Sequence, residues 1–316
     1  MSRGAPDDPG RRAFLRGAAA AGGALLAGKA LDRPAHARAL DTTHSPERLG
    51  VLVDLTRCIG CRRCEGACNA ANGLPAPEIS FDDKTVFETE RRTDPQTYTV
   101  VNRFASADPL GQPVYAKFQC MHCEEPACAA ACPVAALQKT PHGPVVYDKD
   151  LCIGCRYCMI ACPFYVPTFE YANAFDPKIQ KCYMCNHRLS KGELPGCVAE
   201  CPVEALKFGT RHGLLDLARE RIRHHPDRYV DHVYGEHEAG GTSWLYISGV
   251  PFEQVNLPTD VGNRPYLEYT QSFLSLVPIV LVGWPALLGS FYFLSGRDRS
   301  GAPRASPSTR AGSDQT

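Results

Sequence analysis

The sequence predicts an α+β fold made of two similar cysteine-rich halves with insertions, closed by one membrane-crossing helix at the C-terminus. Three observations predict it. All 16 cysteines of the 316 residues fall into four groups of four. Short β-branched and aromatic runs, bounded by turn residues, flank those groups and read as strands. The stretch 272–294 carries no charged residue and matches the roughly 20 apolar residues that cross a bilayer. Lys plus Arg number 34 and so do Asp plus Glu, so the basic excess of a nucleic-acid binder is missing. The 44% hydrophobic content is that of an ordinary globular chain.

The chain opens with residues 1–39, which read as an export signal to be set aside from the fold. Arg11-Arg12 precedes Phe14-Leu15, an apolar small-residue run extends from Gly17 to Gly28, and Ala-x-Ala patterns end at Ala37 and Ala39. The paired arginines make it similar to a twin-arginine signal. That route exports folded proteins and so suits a chain whose cofactors are inserted in the cytoplasm.

The cysteines follow in residues 48–210. The first group is Cys58, Cys61, Cys64 and Cys68. The second is Cys120, Cys123, Cys128 and Cys132, followed by Pro133. The third, Cys152, Cys155, Cys158 and Cys162 before Pro163, is the C-x2-C-x2-C-x3-C-P run of bacterial ferredoxins. The fourth is Cys182 and Cys185, then Cys197 and Cys201 before Pro202. Three closely spaced thiolates on a tight loop wrap one face of an iron–sulfur cubane, and Gly60 and Gly154 permit the conformations such wrapping needs. The fourth cysteine of a run is expected at the start of a helix pointing away, where it ligates the other cluster of a pair.

Zinc, disulfides and redox thiols are weaker matches. Zinc is held by four ligands, often as two CxxC pairs, and the triple run fits it badly. Cysteines two residues apart pair poorly as disulfides, even in an exported chain. A thioredoxin-type site would need one CxxC in a βαβ setting. With cysteine at every position, four 4Fe–4S clusters are the simplest assignment, giving a fold of duplicated bacterial-ferredoxin-like domains with insertions.

The intervening segments support this. Pro133 to Leu151 reads as a strand, a Pro141-His142-Gly143 turn and a second strand at Val145-Val146-Tyr147. Val203 to Phe208 reads as a matching strand after the fourth group. Thr97 to Phe104 and Tyr115 to Gln119 look like strands in the insert between residues 69 and 119, which has no functional reading of its own. In the extension 211–271, Leu214 to His225 has helical apolar spacing at Leu214, Leu215, Leu217, Ala218 and Ile222. Its His224, His225, His232 and His237 form a patch that reads either as polar surface or as a metal or proton-handling site. Arg62, Arg63, Arg156, Lys181 and Arg188 lie near the cysteine loops, either as solvated charge or as cations favouring reduced clusters.

The run 272–294 contains Pro278 and Pro285, which a membrane helix tolerates. Arg297, Arg299, Arg304 and Arg310 follow it, whereas Glu268 is the only charge just before it. The positive-inside rule then puts the C-terminus in the cytoplasm and the bulk of the chain on the periplasmic face. The tail 295–316 is rich in Gly, Ser, Pro and Arg and is expected to be disordered.

With these motifs, the chain resembles the four-cluster electron-transfer subunits of membrane-bound oxidoreductases such as dimethyl sulfoxide reductase and formate dehydrogenase. Within them it is most similar to the HybA-type subunits of nickel–iron hydrogenase 2. The strings carrying that similarity are Gln119-Cys120-Met121-His122-Cys123, Tyr147 to Asp150, Leu194 to Cys197, and Tyr234 to Thr242 leading to Ser248-Gly249-Val250-Pro251. Asn69 departs from the proline that follows the other groups. The resemblance implies crossed ligation: Cys58, Cys61 and Cys64 with Cys201; Cys182, Cys185 and Cys197 with Cys68. It likewise implies Cys120, Cys123 and Cys128 with Cys162, and Cys152, Cys155 and Cys158 with Cys132.

No phosphate-binding loop, dinucleotide fingerprint, zinc-protease motif or nucleophile elbow occurs in the sequence, so catalysis is expected on another chain. The expected role is a non-catalytic relay between a periplasmic catalytic subunit, nickel–iron hydrogenase first, and an integral membrane quinone-reactive subunit. The alternatives are the same relay for a molybdenum or tungsten formate dehydrogenase, and a structural or assembly subunit with redox-inert clusters.

Overall fold

The computed structural model describes residues 48–105 and 111–296. The export signal expected over 1–39 and the tail beyond Gly296 lie outside the described residues. Helix and strand are mixed, as expected. The central sheet joins the two ends of the cysteine region. Strand β1 (Leu49–Asp54) pairs antiparallel with β8 (Leu206–Thr210), the strand foreseen after the fourth group. On its other edge β1 pairs in parallel with β9 (Trp244–Ile247). Residues 211–271 are thereby knit into the same sheet. β1 is apolar on both faces because one face packs on the cysteine loops and the other on helix α6 (Arg211–His224). That helix buries Leu214, Leu215, Ala218 and Ile222, four of its five apolar positions, and Leu217 packs at the margin.

Three hairpins complete the frame. β2 (Val100–Phe104) and β3 (Val114–Phe118) pair within the insert. β4 (Leu137–Lys139) and β5 (Val145–Tyr147) pair between the second and third groups. β6 (Thr168–Phe169) and β7 (Ile179–Gln180) pair between the third and fourth. Short helices lie within or beside the cysteine groups: α1 (Arg63–Asn72), α2 (Ala127–Ala130), α3 (Tyr157–Ala161), α4 (Asn186–Leu189) and α5 (Gly196–Ala199).

The last element, α7, runs from Tyr266 to Gly296 with Pro278 and Pro285 inside it. It begins before the uncharged run, and by length and composition it can cross a membrane. Its apolar side chains face outward, with Ile279, Leu281 and Val282 each about two-thirds exposed or more.

Candidate metal centre

The loops that carry the cysteines repeat one backbone solution. Gly60 and Arg62 have φ of 64° and 63°, and Gly154 and Arg156 have 68° and 61°. Each left-handed pair turns the chain directly into a helix, α1 or α3. Arg62 and Arg156 therefore serve these turns. Arg62 is buried against Glu65 at 3.1 Å, and its other nitrogen donates to the Ser80 and Asp83 carbonyls. Arg156 lies over the Phe169 and Tyr171 rings. Of the other cations near the loops, Arg63 is an exposed partner of Glu200 and Arg188 of Glu193, whereas Lys181 is buried and donates to the Val145 and Cys182 carbonyls.

The fourth cysteines are not at helix starts, contrary to expectation. Cys162 caps the C-terminal end of α3, Cys132 and Cys201 follow α2 and α5, and Cys68 lies inside α1. The proline after Cys132, Cys162 and Cys201 cannot extend the helix and redirects the chain. A turn follows in which Ala135, Tyr165 and Glu204 donate their N–H to the carbonyls of Cys132, Cys162 and Cys201, at 3.1–3.3 Å. All three have φ near 50°, a region that disfavours side chains.

These turns bring distant thiols together. Cys132, Cys152, Cys155 and Cys158 line one cavity. Burial pushes the Cys58 thiol up to about 11, and Cys61 and Cys201 beside it oppose a further negative charge. Burial raises Cys68, with Cys182, Cys197 and Cys185 as neighbours. Burial likewise raises Cys123, which has Cys162, Cys128 and Cys120 around it. Neighbours also run between these sets: Cys64 faces Cys197, Cys182 faces Cys120, and Cys128 faces Cys158.

None of the sixteen cysteines is in a disulfide. Among the described residues no three His, Cys, Asp or Glu side chains converge on a single ion. The surroundings of the thiols suit a sulfur-rich anion. Backbone N–H groups of Ala136, Gly154 and Met184 donate to the sulfurs of Cys132, Cys152 and Cys182 at 3.2–3.4 Å. The Asn72 amide donates to Cys68 Sγ. Among the described residues, His122 and Trp244 also bury ring N–H donors without a partner. His122 accepts from Val145 N at Nδ1, 2.8 Å, so its proton is on Nε2, which has no acceptor. Burial, with Lys181 and Lys139 nearby, holds this ring neutral. Trp244 Nε1, in the core that includes Cys197, is likewise unpartnered.

The histidine patch resolves into separate pairs. His232 meets Glu238 at 2.6 Å, His237 meets Glu236 at 3.5 Å and His224 meets Glu220 at 3.9 Å. The Tyr234–Thr242 string braces the second cysteine loop: Glu124 N donates to Gly241 O and Ser243 Oγ donates to Glu124 Oε1. Sequence reasoning missed Lys117 on β3, a buried ammonium facing Cys197, Cys64 and Cys182. Its only signal was a lysine in an otherwise apolar strand running straight into the second group.

Residues 112–211 match the family model of the 4Fe-4S dicluster domain. A protein of Nitratidesulfovibrio vulgaris is 57% identical over 78% of this chain and 67% of its own length. The hydrogenase-2 operon protein HybA of Escherichia coli O157:H7 is 39% identical over 78% of this chain and 83% of its own. The formate dehydrogenase-O iron–sulfur subunit of Escherichia coli strain K12 is 30% identical, covering 78% and 82%.

Proposed function

The chain belongs to the family of 4Fe–4S proteins that includes the hydrogenase-2 operon protein HybA and the iron–sulfur subunits of formate dehydrogenases, and from that premise we propose a non-catalytic electron relay. It carries four 4Fe–4S clusters and joins a nickel–iron hydrogenase that oxidises hydrogen to an integral membrane quinone-reactive subunit. Each bound cluster accepts and gives up one electron. The ligand sets are Cys58, Cys61, Cys64 with Cys201; Cys182, Cys185, Cys197 with Cys68; Cys120, Cys123, Cys128 with Cys162; and Cys152, Cys155, Cys158 with Cys132.

The observation that carries the reading is the pattern of thiol neighbours. Within sets it follows the crossings, and between sets it links them end to end. The protein's work at these sites is to supply thiolates, aim N–H donors at the sulfurs and exclude water. The two terminal sets reach the surface under apolar side chains, as docking requires: Ile59 beside the first loop, Ile153, Tyr157 and Ile160 beside the third, where Cys155 is exposed. The repeated loop turns at Gly60–Arg62 and Gly154–Arg156 support a duplicated ferredoxin-like core within 48–210. The chain is anchored by 272–294 with its bulk in the periplasm after twin-arginine export and its C-terminal tail in the cytoplasm.

The test is metal analysis and redox titration of the detergent-solubilised complex. The reading requires sixteen irons per chain, nickel in the partner, and at least two clusters that change state under electron paramagnetic resonance. Molybdenum or tungsten in place of nickel would assign the relay to a formate dehydrogenase instead. Clusters that stay in one state would leave only a structural role.

A further inference from the structure

Lys117 is 3% exposed and sits among residues more buried still: Thr99, Gln119, Trp244 and Tyr246. The protons around it can be assigned one by one. Thr99 Oγ1 donates to the Phe118 carbonyl at 3.0 Å, so it accepts from Lys117 Nζ at 2.6 Å. Gln119 Oε1 accepts from the same nitrogen at 2.8 Å. Gln119 Nε2 donates to the Tyr246 hydroxyl, which donates in turn to the Lys117 carbonyl. The face of the Trp244 ring lies 4.6 Å from Nζ, an arrangement that favours a cation.

Its hydrogen-bond partners are neutral, as are the carbonyls that hold buried Lys181, whereas other buried cations meet carboxylates. Arg62 sits against Glu65, while Arg48 and Lys139 both sit against Glu124. Among the described residues no carboxylate pairs with Lys117. Trp244 and Tyr246, which hold it, pack in one core with Cys197 of the second set, and Cys64 of the first set packs against that core; Cys182 of the second set is a further electrostatic neighbour. An ammonium buried without a counter-charge is strongly disfavoured. The compensating charge must come from what the thiols hold. A cubane bound by four thiolates is anionic, and reduction adds one more negative charge.

We propose that Lys117 is a fixed positive charge shared by the first two cysteine sets, holding their clusters at a higher reduction potential than the same loops would give without it. This rests on the relay reading above. In the low-dielectric core a nearby cation stabilises the reduced state more than the oxidised one. Reduction adds one electron to a cluster, Nζ keeps its three protons, and no bond forms or breaks at this chain's residues. The insert 69–119 thereby acquires a function, since β3 delivers the lysine from outside the cysteine motifs.

The test is an electron paramagnetic resonance redox titration of the whole detergent-solubilised complex. It compares the wild type with Lys117→Gln, Lys117→Met, Lys117→Arg and the exposed control Arg63→Ala. A neutral variant that retains its iron should lower the reduction equilibrium constant of at least one cluster tenfold, a fall of about 59 mV for a one-electron couple. Lys117→Arg should keep the wild-type value, and Arg63→Ala should shift it less because solvent screens its charge. Full iron with unchanged potentials in Lys117→Gln overturns the proposal. Loss of iron from both neutral variants assigns Lys117 to assembly and overturns it equally. A wild-type complex with no reducible clusters would instead refute the relay itself.

Discussion

Glu65 shows how one buried carboxylate organises the first cysteine loop. Its side chain is 1% exposed and accepts from Arg62 at 3.1 Å, Arg91 at 2.6 Å and the Val101 backbone at 2.7 Å. It thus pins α1 to the insert hairpin. Removing one partner of a buried ion pair leaves uncompensated charge and costs about 3–5 kcal/mol. Glu65→Ala strands two arginines, so we expect loss at that scale, read as faster bleaching of cluster absorbance in denaturant than in wild type. Neither Glu65 nor Lys117 could be picked out from the sequence. The cysteine loops were legible because metal chemistry fixes residue type and spacing together. A buried charge is fixed only by what surrounds it, here residues up to 36 positions away along the chain for Glu65 and 129 for Lys117. His122 is intermediate: its place between Cys120 and Cys123 was visible, but its unpartnered Nε2 follows from a bond to Val145 on β5.

The elements explain where the four groups differ. Asn69 stands where the other groups have proline because α1 continues past Cys68 to Asn72, whereas α2, α3 and α5 end by their fourth cysteine. Asn69 also donates to the Pro75 carbonyl at 2.7 Å. Asn69→Pro should therefore break α1 at a cost of about 3 kcal/mol and lower helicity by circular dichroism, although it restores the motif. The two loop glycines make a second contrast. Gly60 and Gly154 share a left-handed backbone, but a Cβ at Gly60 would lie 2.3 Å from the Tyr115 ring, and at Gly154 the nearest atom is 3.8 Å away. Gly154→Ala carries only the backbone penalty, on the order of 1 kcal/mol. Gly60→Ala should lose clearly more iron on purification. Both insert strands, β4, β5, β8 and α6 were readable from periodicity and turn residues, whereas β1, β6, β7 and β9 were not read from the sequence. The helical placement of the fourth cysteines was misjudged, since the left-handed turns after Cys132, Cys162 and Cys201 are made by Ala135, Tyr165 and Glu204, with no glycine to announce them.

At the scale of the molecule, the sheet and the terminal helix set how the cysteine core meets a membrane. β1 takes β8 on one side and β9 on the other, so segments from both ends of the cysteine region and from beyond it share one sheet. α7 packs against α2, and Tyr266 at its start lies near Cys162 and Tyr165. The third cysteine set is therefore the one beside the helix entry. Burial elsewhere owes nothing to α7: its apolar side chains point outward, and the cores on the two faces of the β1 sheet contain no residue of it. A chain truncated after Arg264 should consequently keep its fold and iron while losing the anchor. In cell fractionation it should move from the membrane to the soluble fraction. On the proposed hydrogenase relay, hydrogen-dependent reduction of a soluble dye by the complex should persist, and quinone reduction should fall at least tenfold, because anchoring replaces a dilute encounter with a high effective concentration. If the truncated chain stayed with membranes stripped of its partner subunits, α7 would not be the anchor. If it lost iron as well, the helix would be part of the fold around Cys162.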